Sequence, residues 1–146
     1  MHVPIQVDYG VRALIDLAER YASGETPVRT SAIAHRQGVP EPFLARVMLR
    51  LRKGGMVVSV RGPQGGHALA KDPSEISMAM VMDCLDGSAS LLACLDDETS
   101  CGQWSGCTQK DVWSVVEEAM RQVLESTSIS DLVRGSHSEP ARVGTA

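Results

Sequence analysis

Apolar residues recur every three or four positions around Asp8 to Tyr21, at Val7, Val11, Leu14, Ile15, Leu17 and Ala18. That spacing predicts an amphipathic helix. Gly24-Glu25-Thr26-Pro27 interrupts it, as a glycine–proline cluster does. Thr30 or Ser31 is a suitable N-cap for a short helix carrying Ala32, Ile33, Ala34 and His35 and ending at Gly38. Pro40-Glu41-Pro42 opens a third helix, since proline is tolerated in a first turn. Phe43, Leu44, Val47, Met48 and Leu51 form its apolar stripe, Arg46, Arg50 and Lys53 fall opposite, and Gly54-Gly55 ends it. The pattern then changes. Met56 to Arg61 is a β-branched run suited to a strand, Gly62 to Gly66 a turn, and His67 to Ala70 a return strand. Two short helices joined by a glycine turn, a basic helix, then a glycine-tipped hairpin make the order of a winged helix-turn-helix.

Downstream, Asp72-Pro73-Ser74 caps a fourth predicted helix from Ser74 to Leu85, with Ile76, Met80, Val81 and Leu85 inward. Residues 86–108 have no period and are rich in Gly, Ser, Asp and Cys, which predicts a loop. From Thr108 to Thr127 the stripe returns at Val112, Val115, Val116, Ala119, Met120, Val123 and Leu124. A helix of that length spans ~30 Å. It cannot bury its stripe alone, and a two-fold partner is the natural solution, so a homodimer is expected. Residues 128–133 add a short helical turn, and the polar stretch 135–146 is expected to be disordered. The fold class is therefore mostly α with a small β-hairpin wing: a winged helix-turn-helix DNA-binding domain over 1–85, a cysteine loop over 86–108, a dimerisation helix with a short C-terminal helix over 109–134, and a tail over 135–146.

Charge sharpens this picture. The net charge is −4, but it is unevenly spread. Residues 1–72 carry ten Lys/Arg against six Asp/Glu, and residues 73–146 carry four against twelve. Arg46, Arg50, Arg52, Lys53 and Arg61 form a basic run without an intervening acid. A local basic stripe on a predicted DNA-reading element is the footprint of phosphate contacts, and an acidic second half discourages a polyanion from binding elsewhere. Ser31, Pro42 and Gln64 are further candidates for phosphate or base contact. No apolar run approaches the ~18 residues a membrane span needs. The N-terminus has neither a basic nor an apolar leader region. A cytoplasmic protein is expected, with no membrane partner. No Ser/His/Asp set or phosphate loop points to an enzyme.

The candidate chemistry lies in the loop. Cys94, Cys101 and Cys107 are spaced C-x6-C-x5-C, with Gly102 and Gly106 among them. In a reduced compartment, such clustering points to metal or redox chemistry rather than structural disulfides. Structural zinc favours short C-x2-4-C pairs and four ligands, which this spacing lacks. Iron–sulfur clusters accept more varied loops but usually also want four ligands. A cluster-free regulator that uses the cysteines for thiol redox sensing or for zinc binding is the alternative. Cys84, beside Val81 and Leu85, reads as a core thiol.

The stretch from Leu49 through Arg-Leu-Arg-Lys-Gly-Gly-Met-Val-Val-Ser-Val-Arg-Gly-Pro-Gln-Gly-Gly to His67, with three loop cysteines in register after it, resembles the IscR/NsrR/RirA iron–sulfur transcription regulators, the Rrf-two family. The resemblance runs from about Val7 to Val133. It implies a homodimer that binds a double-stranded DNA operator and acts as a repressor or activator, read here as a repressor. Control would come from a 4Fe–4S or 2Fe–2S cluster near the dimer interface, sensing nitric oxide, iron or cluster supply, or redox state. It also implies that the wing residues Arg61, Gly62 and Pro63 enter a minor groove. In the cluster-assembly members a His follows the third Cys by three residues, and here Lys110 stands there. In the nitric-oxide-sensing members an Asp near the N-terminus of the partner subunit completes the ligand set; here Asp8 stands in the matching place, with Arg12 four residues on. A carboxylate is a hard, exchangeable ligand suited to a sensor. Capping of the first helix is the other role open to Asp8, and Asp97 and Glu98 are outlying candidates.

Overall fold

The computed structural model describes residues 2–87 and 90–135; the expected tail lies beyond Gly135, outside these residues. Seven α-helices and one hairpin are found among them: α1 (Ile5–Ser23), α2 (Thr30–Gln37), α3 (Glu41–Lys53), β1 (Val57–Val60), β2 (Gly66–Leu69), α4 (Met78–Leu85), α5 (Ala93–Asp96), α6 (Lys110–Ser126) and α7 (Ile129–Arg134). Helices and one antiparallel hairpin match the expected fold class.

The core lies where α1, α2, α3 and α4 converge. Leu14, Leu17, Ile33, Leu44, Met48, Leu51, Ile76, Val81 and Leu85 are fully buried there. Burying each such side chain contributes roughly 1.5–3 kcal/mol. The aromatic contribution is small: Tyr9 and Phe43 meet edge-to-face, 5.3 Å between centroids. α1 and α4 cross so closely at Gly10 that a Cβ there would collide with Leu85.

Several boundaries depart from the sequence reading. α1 begins at Ile5, with Pro4 in the cap position and no side-chain cap. Asp8 is therefore inside the first turn and does not cap the helix. α2 begins at Thr30 with Arg29 in the cap position, so neither Thr30 nor Ser31 caps it. The fourth helix is shorter than expected. Asp72 and Glu75 close a capping box around a single 3-10 turn, Pro73–Glu75. The chain then extends through Ile76, and Ser77 caps α4 by accepting from the Met80 amide. The extended break has a purpose: the Met78 amide donates to the Thr127 carbonyl (2.9 Å) and the Ile129 amide to the Ile76 carbonyl (2.8 Å). These bonds tie the end of α6 to the start of α4. α7 then packs on α1, with Ile129 fully buried, so the last described helix returns to the core.

Candidate nucleic-acid interface and cysteine segment

The hairpin pairs Val57 with Leu69 through Val60 with Gly66. A third chain segment joins it: Val28 and His67 exchange amide–carbonyl bonds of 2.8 and 2.7 Å. Gly66 is required at this junction, because a Cβ would run into the Val28 carbonyl and its φ is +155°. The wing is thus moored to the start of α2. The His67 ring strengthens the mooring, with Nε2 2.9 Å from the Thr30 hydroxyl and Nδ1 3.3 Å from the Ser59 hydroxyl. Burial pushes the His67 pKa below its ordinary value, and the nearby Arg52 charge acts in the same direction. The Arg29 guanidinium donates to the Pro63 carbonyl at the wing tip. Arg29, Thr30 and His67 were not foreseen as a group, because their contacts join residues more than thirty positions apart.

On α3, Leu44, Val47, Met48 and Leu51 are buried, while Pro42, Ala45, Arg46, Leu49, Arg50, Arg52 and Lys53 are exposed. Arg61, Gly62 and Pro63 form the exposed wing tip, and Ser31 is exposed in the first turn of α2. Arg46, Arg52, Lys53, Arg61, Gly62, Pro63 and Ser31 are therefore all accessible. Arg50 is different. Its guanidinium donates to Gln6 Oε1 (2.9 Å) and to the Cys84 carbonyl (3.1 Å), so it is committed within the chain. Leu49, 43% exposed in the middle of the outward face, is an apolar residue that charge-based reading passed over.

The cysteine segment is not a featureless loop. It contains α5 and two 3-10 turns, Glu98–Ser100 and Trp104–Gly106. Asp97 caps the first turn through Thr99, and both hydrogen bonds hold its carboxyl below the usual range. α6 anchors the segment at two points. Near its start, Glu117 accepts from the Ser90 hydroxyl (3.0 Å) and the Leu91 amide (2.9 Å). Near its end, Lys110 donates to the Trp104 carbonyl (3.0 Å) and lies over the Trp104 ring, 4.3 Å from its centroid. Lys110 is a staple.

Cys94, Cys101 and Cys107 are free and half-buried. Among the described residues their thiols make no side-chain hydrogen bond, whereas the Cys84 thiol donates to the Arg50 carbonyl (3.3 Å), and burial pushes its pKa up. As donors, three uncommitted thiols suit an iron–sulfur cluster. Among the described residues, no three His, Cys, Asp or Glu side chains are gathered as a metal-binding set within one chain. Asp8 stands apart, half-buried and paired with Arg12 at 3.1 Å, at the edge of a groove of about 530 Å³ lined by Val3, Ile5, Val7, Val11 and Met78.

α6 leaves much of its apolar side uncovered. Val112, Val115 and Val123 are 61%, 68% and 40% exposed. An apolar groove of about 390 Å³ runs beside it, lined by Val3, Met82, Ala119, Met120, Val123 and Leu124. Its other side is fixed to α4 by Arg121, which donates to both oxygens of Asp83 (2.9 and 3.0 Å). Among the described residues, no helix is long and apolar enough to cross a membrane.

Comparison with known proteins fits this architecture. Residues 4–135 match the family described as Rrf2, iron-dependent transcriptional regulator. The chain belongs to the Rrf2 family. Within it, the chain is 36% identical over 125 residues to the HTH-type transcriptional regulator IscR of Serratia proteamaculans, covering 86% of this chain and 74% of that protein. The solved structure of T. potens IscR matches with a TM-score of 0.74 and 34% identity, over 100% of this chain and 94% of that one. That of CymR (YrzC), the global cysteine regulator of B. subtilis, matches with a TM-score of 0.78 and 27% identity, over 93% and 98%. This Rrf2 chain is a transcription regulator that binds DNA, and not an enzyme.

Proposed function

We propose that this Rrf2 regulator works as a homodimer on a pseudo-palindromic operator, each subunit presenting α3 to a major groove and the Arg61-Gly62-Pro63 wing to an adjacent minor groove. Arg46, Arg52, Lys53 and Arg61 supply the cationic contacts, and Ser31 lies within reach of a phosphate. The uncovered valines of α6 form the seam between subunits, consistent with a helix that has no fully buried residue in one chain. Signal reception falls to Cys94, Cys101 and Cys107, which would hold an iron–sulfur cluster with Asp8 of the other subunit. When bound, the cluster would supply iron–thiolate bonds sensitive to nitric oxide, oxidants and iron supply. The chain's own part is mechanical. Glu117 and Lys110 hold the two ends of the segment on the seam helix, so any rearrangement of the thiols loads that helix.

The observation that carries this reading is the set of three uncommitted, half-buried thiols on a segment fastened twice to the unpartnered helix. Oxygen-free purification tests it. Wild-type protein is expected to be coloured and to contain iron and acid-labile sulfide. Cys101→Ala loses the colour, and Arg61→Ala keeps it but binds DNA more weakly. Asp8→Ala is expected to retain less iron. Colourless, iron-free wild-type protein would sink the cluster.

The structural likeness to Staphylococcus aureus CymR in its oxidized form (TM-score 0.71, 26% identity) favours a second reading, in which the same cysteines respond by forming a disulfide. Thiol titration before and after mild oxidation separates the two: loss of two thiols per chain, without iron, supports the second.

A further inference from the structure

Arg50 lies on the flank of α3, turned about 100° from Leu49, the middle of the exposed face. Three chain stretches meet at its guanidinium. It donates to Gln6 Oε1 near the start of α1 (2.9 Å) and to the Cys84 carbonyl near the end of α4 (3.1 Å). The Cys84 thiol answers by donating to the Arg50 carbonyl (3.3 Å). Gly54 lets the two helix ends close, since a Cβ there would stand 2.7 Å from the Cys84 sulfur. The positions of the partners are informative. Gln6 is two residues before Asp8, and Cys84 lies two residues before Asp86, where the stretch leading to Cys94 begins.

We infer that Arg50 is a positioning residue, clasping the recognition helix to the two stretches that carry the sensing groups, rather than a DNA-reading residue. This rests on the DNA-binding reading of α3. Arginine suits the task because its planar fork addresses two separate acceptors at once, whereas lysine offers a point charge. A phosphate contact tolerates that exchange far better, since phosphate accepts a point charge well. The clasp gives any strain in the cysteine stretch or the first turn of α1 a direct path to the reading helix.

The test uses the full-length dimer and a duplex that the wild-type protein recovers from a random-sequence library, with affinity measured across salt concentrations. Arg50→Met and Arg50→Lys are both expected to weaken binding roughly tenfold, the scale of a lost charged hydrogen bond, with the salt slope unchanged. Gln6→Ala, which removes no charge, is expected to weaken binding in the same direction and to add little on top of Arg50→Met, as coupled groups do. A salt slope that falls by about one in Arg50→Met, as loss of a phosphate contact requires, overturns the proposal. So does wild-type affinity in Arg50→Lys. If Arg50→Met does not fold, Gln6→Ala decides, and wild-type affinity there counts against the clasp. Iron-free protein would sink the cluster reading and leave this comparison intact.

Discussion

Asp16 is 1% exposed between α1 and α2, and both of its oxygens accept from Arg36, at 2.7 and 2.8 Å, with Gln37 adding a third bond at 3.3 Å. Burial pushes this carboxyl up, but the Arg36 and Gln37 bonds outweigh it and the pKa lies below its ordinary value. A depressed carboxyl contributes stability above its unfolded pKa and loses it as pH falls through the folded one. Wild-type stability is therefore expected to drop in acid below about pH 4, and in Asp16→Asn that drop is smaller. At neutral pH, Asp16→Asn is expected to cost about 3 kcal/mol in urea unfolding, the low end for breaking a buried pair because Arg36 is 34% exposed. His67 works with the opposite charge. Its depressed pKa means that mooring of the wing is complete above about pH 6.5 and weakens as pH falls. Amide protection at Val28 and His67 is expected to decrease on acidification, and in His67→Phe it becomes lower and insensitive to pH. Neither side chain was legible in the sequence beyond its helix or strand. Spacing placed position 16 among Leu14, Ile15 and Leu17, but Arg36 lies twenty residues away, and periodicity cannot name a partner at that distance.

At the scale of elements, the helices of the reading head were legible because apolar spacing and glycine stops agree there: α2 ends at Gly38 and α3 at Gly54, where the sequence says they should. What escaped was decided by other parts of the chain. The extended turn at Ile76 and Ser77 lies within an apolar, helix-compatible stretch, and it stays extended because Thr127 and Ile129 claim its backbone groups. The short helices of the cysteine segment escaped because α5 and its two 3-10 turns have no apolar period to show. Gly10 tests how tightly the elements fit. Gly10→Ala is expected to cost about 1–3 kcal/mol, as overpacking does, by pushing α4 away from α1. Adding Leu85→Ala to Gly10→Ala should then cost less than Leu85→Ala costs alone; equal losses would mean that the two side chains do not meet.

At the scale of the whole molecule, the exposed valines of α6 are an unmet demand of a single chain. Val115→Glu or Val123→Glu is expected to shift the protein from dimer to monomer in sedimentation and to reduce operator affinity, since two half-sites are read together only when two heads are joined. A variant that stays dimeric would place the seam elsewhere. The sequence led to the expectation of a partner for this helix, but it could not show how the helix ends.

That ending carries a geometric consequence. Because the Thr127 and Ile129 backbone bonds rivet the far end of α6 to the reading head, the helix is no swinging arm, and head and rod turn as one casting. In the proposed dimer, the distance between two heads on DNA would then be set by how the rods lie against each other. A slip of one helical turn, ~5.4 Å, exceeds the ~3.4 Å step between base pairs. Inserting a single base pair between the half-sites should therefore not be accommodated by bending a linker, and binding should fall sharply.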